Sequence, residues 1–160
     1  MTTNPGGPII PVALTDWVEQ GIKNIYTATT ENALNAALDA FLKRDARLTV
    51  NGKAVTPQQY AALLRSEKAG ELSASVKFDS VVAVPVTSDE SVPQTGSVGA
   101  FYEATITTHL IKISHVQSSL NVVVVEDEKL KGQYDPRRVS LLNQVVLDTV
   151  PIVQPGATKA

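Results

Sequence analysis

The side chains best suited to small-molecule chemistry are Asp45, His109 and an aromatic set, Tyr26, Phe41, Tyr60, Phe78 and Tyr102. Acid–base catalysis needs a group whose pKa burial can tune toward neutrality, and hydroxyl donors aimed at charge that develops on the substrate. Asp45 closes the second predicted helix and would act as a base if buried; such an Asp more ordinarily caps a turn or pairs with a neighbour such as Arg47. His109 carries an imidazole, the side chain most used in proton transfer, and shares a predicted strand with Tyr102, but seven positions apart they point to opposite faces of an unbroken strand. His115 falls in a predicted turn. No catalytic residue is assigned on these grounds, and Asp45 and His109 stand as candidates only. The tyrosines are core residues whose hydroxyl tips can line a pocket, and Phe41 and Phe78 are core.

Several chemistries are excluded or demoted. The chain has no cysteine, so disulfides, thiolate metal sites and a cysteine nucleophile are absent. The two histidines and scattered carboxylates lack metal-ligand spacing, and Gly96-Ser-Val-Gly99 lacks the Lys and the strand-to-helix context of a phosphate loop. No cofactor or metal is expected. Arg137-Arg138 is a strand-end charge pair before it is an anion grip. Fourteen Lys and Arg against sixteen Asp and Glu, net charge -2, supply no cationic field for nucleic acid or an anionic membrane. No apolar run approaches the roughly 20 residues of a membrane span, and the Pro- and Gly-interrupted N-terminus lacks the form of a signal peptide. A cytoplasmic protein is the resulting expectation.

The elements that must position these residues are read in order. Residues 1–14 form an extended arm, because three prolines fix φ and bias their predecessors away from helix. A single domain spans 15–150 and a flexible tail 151–160. Asp16 as N-cap with Glu19 predicts a first helix over about 16–28, with Trp17 locking it to the body. Leu34, Leu38, Phe41 and Leu42 mark a second, with Lys43 and Arg44 near its negative end. Asn51-Gly52 predicts a type I′ hairpin turn. Thr56-Pro57-Gln58-Gln59 is a capping box with Pro at the first helical position, and Gly70 ends that third helix. From Leu72 onward four β-prone segments follow, about 73–86, 98–111, 117–126 and 137–150. Helices first and strands after give an α+β domain, the helices packed on a curved, mostly antiparallel sheet.

The strands do not alternate cleanly. Val139, Leu141, Val145 and Leu147 fall on one face of the last strand while Leu142 and Val146 fall on the other, and Val122 to Val125 is apolar on both. One helix layer covers one face, so the other is expected to meet a second subunit in a homodimer.

The order helix, helix, Asp45-Ala46 with the Val50-Asn51-Gly52-Lys53 hairpin, a Thr-Pro-capped third helix, then Val98-Gly-Ala-Phe-Tyr102 and Asp135-Pro-Arg-Arg-Val139 resembles the nuclear transport factor two-like superfamily, and within it small uncharacterised fungal members. The resemblance covers about 14–150. It implies an α+β cone or barrel: a strongly bent sheet around the helices, an apolar pocket between them, and dimers through the outer sheet face. It also implies a range of functions: a pocket protein for a small apolar molecule, an interaction module, a dehydratase, isomerase or cyclase with a pocket Asp or His and a Tyr, or a transport adaptor recognising a peptide. Fold does not choose among these.

Overall fold

The structure is a computed structural model that describes residues 11–109 and 111–149; the remainder of the arm and the tail lie outside the described residues. The order is α1 (Leu14–Thr27), α2 (Glu31–Phe41), β1 (Leu42–Val50), β2 (Lys53–Val55), α3 (Pro57–Glu67), β3 (Glu71–Pro85), β4 (Gly96–Thr108), β5 (Ile113–Glu126), a 3₁₀ turn (Glu128–Leu130) and β6 (Arg137–Thr149). The strands form one curved, unclosed sheet in the order β2-β1-β6-β5-β4-β3. It is a mixed cone and not a closed barrel: β1 runs parallel to β6, and every other pairing is antiparallel.

The capping signals at α3 behave as expected. Thr56 Oγ1 accepts from Gln59 N while Gln59 Oε1 accepts from Thr56 N, and Gly70 takes φ +74°. Asp16 does not cap α1. That helix starts at Leu14, after Ala13 and without a side-chain cap, because Leu14 is itself buried and packing carries the helix two residues further toward the N-terminus. Trp17 does lock it: its ring stacks on Phe41 at 5.5 Å. Gly21 lets Phe41 lie against α1, since a Cβ there would stand 2.4 Å from the Phe41 ring.

The second helix ends sooner than its composition suggests. Leu42 turns extended, φ -99° and ψ 136°, and pairs with Val139, so Lys43, Arg44 and Asp45 belong to β1 and not to a helix end. Between Leu42 and Arg47 the β1–β6 register shifts; β1 uses five residues where β6 uses two, which splays Arg44 and Asp45 outward. The hairpin turn carries Asn51 at φ 50° and Gly52 at φ 80°, the left-handed pair that a type I′ turn needs. Asn51 also reaches across to β6, where its Nδ2 donates to Val146 O at 3.1 Å and its Oδ1 accepts from Val146 N at 2.8 Å.

A bulge explains the irregular apolar pattern of the last strand. Val124 pairs with Val139 and Val123 with Leu141, so Ser140 is extra. Past it the faces exchange: Val139, Leu142 and Gln144 are buried against the helices, while Leu141, Val145 and Leu147 point outward. In β4 the alternation is clean, with Val98, Ala100, Tyr102, Ala104 and Ile106 inward.

Candidate functional site

Three of the aromatic candidates meet inside the cone, brought from three elements. Tyr26 comes from the last turn of α1, Tyr60 from the first turn of α3 and Tyr102 from the middle of β4; all are buried. Phe78 on β3 tilts against Tyr102 at 5.6 Å, and Tyr26 meets Tyr102 edge-on at 5.9 Å. Phe41 is not part of this group; it lies at the other end of α1, on Trp17.

A glutamine ties the hydroxyls together. Gln144 Oε1 accepts from Tyr60 Oη at 2.8 Å, and its Nε2 donates to Tyr102 Oη at 3.1 Å and Ser118 Oγ at 2.6 Å. Both amide hydrogens are thus used, which fixes the amide orientation. Tyr26 Oη donates to Glu67 Oε2 at 3.3 Å. Burial, more than any neighbour, pushes all three phenols above their ordinary pKa.

Glu67, at the end of α3, is the group with acid–base character. Burial raises its pKa to about 7 and the charge of Asp148 adds to the rise, while the Tyr26 hydroxyl and Lys68 oppose it. A carboxyl at that value exchanges protons readily at neutral pH. Beside it Lys68 is buried; its ammonium donates to Tyr26 O at 2.5 Å and to Glu71 Oε2.

The other sequence candidates lie elsewhere. Asp45 is exposed and faces Lys43 at 3.5 Å. His109 stands in an exposed turn past the end of β4, not on the strand with Tyr102. His115, expected in a turn, sits on β5 opposite Thr105, its Nδ1 3.3 Å from Glu103. Arg137 is buried as a structural ion pair, not a surface grip. Among the described residues no cluster of three or more His, Asp or Glu could hold a metal ion, and no helix is long and apolar enough to cross a membrane.

The interior is occupied by side chains that bond to one another. Concavities run outside it: a groove of about 560 Å³ between α2, β1 and α3, lined in part by Leu38, Lys43, Arg44 and Arg65, and a neighbour of about 470 Å³ toward Asp127 and Arg138. None of the five aromatic candidates lines either.

Glu67 carried a readable signal, since it follows Tyr60 and Leu64 at helical spacing and so shares their inward face. Gln144 did not, because the Ser140 bulge changes its face.

No family model matches this sequence, and no curated protein matches it. Solved structures do match its fold. A candidate scytalone dehydratase from Novosphingobium aromaticivorans DSM 12444 superposes with a TM-score of 0.58 at 12% identity, covering 90% of this chain and 94% of that one. A type 2 hexachlorocyclohexane dehydrochlorinase gives 0.54 at 11%, covering 91% and 89%. The Kfla4162 protein from Kribbella flavida gives 0.57 at 11%, covering 82% and 88%. The fold is that of the nuclear transport factor two-like superfamily. At these identities the likeness extends to the fold alone.

Proposed function

We propose that this domain is a homodimeric interaction module whose outer sheet face pairs with a second copy. The observation that carries the reading is the apolar character of that face. Phe101 on β4 and Leu141, Val145 and Leu147 on β6 point away from the helices and are 41–61% exposed, with Val123 on the strand between them. Monomers rarely leave such a patch in water, and a face that meets its own copy across a two-fold axis buries it twice. The hydrogen-bonded Tyr60, Gln144, Tyr102 and Ser118 of the interior favour this reading over an open pocket for a small apolar molecule. Light scattering across a dilution series tests it. A dimer at micromolar concentration that Val145→Asp converts to a folded monomer is the expected result; a wild-type monomer there overturns it.

One observation favours a second reading, an acid–base enzyme acting on a small molecule. Glu67, with a pKa raised to about 7, meets a tyrosine hydroxyl, the pairing of proton acceptor and donor that such chemistry uses. On that reading Glu67 and Tyr26 carry the reaction, and Asp45 and His109 take no part.

A further inference from the structure

The outer face of the sheet has a pattern finer than its apolar character. Its residues lie in rungs that run across the strands, and the register of β4, β5 and β6 sets them: one rung carries Ser97, Val123 and Leu141, the next Gly99, Asn121 and Asn143, and the next Phe101, Ser119 and Val145. The middle rung is polar between two that carry bulky apolar groups. Asn121 and Asn143 are exposed, and among the described residues neither side-chain amide has a hydrogen-bond partner. Gly99 leaves a dip beside them, since a Cβ there would stand 3.1 Å from Asn121 Oδ1.

A face packed on its own copy must obey a two-fold axis, and the axis can lie in few places. Along the middle rung, each residue one rung above it meets the residue one rung below it on the same strand of the partner. Bulky side chains then meet small ones: Phe101 stands over the partner's Ser97 and Val123 over the partner's Ser119, while Leu141 packs on the partner's Val145. The polar rung meets itself. Two asparagine side chains joined end to end by hydrogen bonds span the roughly 10 Å between face-packed sheets, and each amide offers both a donor and an acceptor. Other placements fit worse. With the axis along β5, Glu103 falls on the partner's Leu147, and the carboxylate loses water without gaining a partner. With the axis along the Phe101 rung, Asn143 falls on the partner's Leu147, which orphans a desolvated amide.

Resting on the homodimer reading, we propose that the two-fold axis runs along the Gly99–Asn121–Asn143 rung and that the two amides fix the register of the dimer. Apolar contact supplies the attraction, and the asparagines select one alignment, as a single polar residue does in a coiled-coil seam.

Charge complementation in the full chain tests the alignment, with sedimentation velocity at micromolar concentration as the readout. The substituted positions are all exposed, so the core is untouched. Leu141→Lys and Val145→Asp are each expected to weaken the dimer by about a hundredfold, and their equimolar mixture to restore a heterodimer within about tenfold of the wild-type Kd, because the introduced charges face each other. Asn143→Asp and Asn143→Lys should behave alike, each repelling its own copy and pairing when mixed. Val145→Asp mixed with Phe101→Lys carries the same opposite charges at positions that do not meet, and is expected to stay monomeric. Recovery by that control mixture, which would put the axis along β5, or failure of either of the first two mixtures to dimerise, overturns the proposal. A wild-type monomer removes the homodimer reading and the alignment with it; a wild-type dimer whose mixtures stay monomeric removes the alignment alone.

Discussion

The two ends of α1 both bury a cation against a carboxylate, and they do so differently. At the N-terminal end Arg137 is fully buried, yet four of the five N–H groups of its guanidinium donate to acceptors. It holds Asp135 through two parallel bonds of 2.9 and 2.8 Å, donates to Val12 O and Gln94 O, and faces the Trp17 ring at 5.6 Å. At the C-terminal end, about 20 Å along the helix axis, Lys68 serves Tyr26 O and Glu71, Glu71 keeps an oxygen without a partner, and Glu67 is close to half-ionised at neutrality. Arginine's fork suits a site that must satisfy several acceptors at once, whereas lysine is a point charge on a flexible stem. One end is finished as structure. The other is less completely paired, and Glu67 is the group there on which a proton can act.

Three changes break or sharpen that contrast. Arg137→Ala is expected to cost most, about 3–5 kcal/mol, because it strands Asp135 and two backbone carbonyls together. Urea unfolding at neutral pH measures it, and a loss under 1 kcal/mol would mean the clasp is ornamental. Lys68→Met should cost somewhat less, about 3 kcal/mol, by leaving Glu71 charged and alone. The double variant Lys68→Met with Glu71→Leu is expected to regain part of this, since an ion pair replaced by apolar groups is often neutral, while Tyr26 O loses its Lys68 donor. Removing Arg137 and Asp135 together should recover less, because two carbonyls, those of Val12 and Gln94, are orphaned there against one at Lys68.

The smallest effect concerns Glu67. Its folded pKa lies above its unfolded value, about 7 against 4.5, so the folded chain binds more protons across that window. Stability is therefore highest below pH 4.5 with respect to this group, and declines as pH rises to about 7. Burial also raises Glu71, which contributes with the same sign. Glu67→Gln should flatten most of the decline and stabilise the domain at pH 8; thermal melts at pH 5 and pH 8 that move in parallel for both proteins would refute this.

Much of the fold was legible because local chemistry and tertiary packing agree. Thr56, Pro57 and Gln59 specify the start of α3 by their own hydrogen bonds, and Asn51-Gly52 specifies the turn by backbone conformation. Where packing overrides local preference the reading fails. Leu14 extends α1 past the residue that resembles a cap, and Leu42 leaves the helix for a strand partner nearly a hundred residues away. The candidate site was half legible. Tyr26, Tyr60 and Tyr102 were identified by type, but Gln144, which joins two of them, depends on a bulge that exchanges the faces of β6. Arg137 was visible as a charge and not as a buried one, because two of its acceptors, Val12 O and Gln94 O, come from distant segments.

The Asn51 amide has a consequence for how chains meet. By matching both the donor and the acceptor of Val146, one side chain acts as an extra residue of the neighbouring strand and ends the pairing surface there. A foreign extended segment finds that rung of β6 already filled, so strand addition is blocked at the place where β1 stops protecting its neighbour. The amide therefore works as a guard against fibre-like growth, leaving association to the broad face of the sheet.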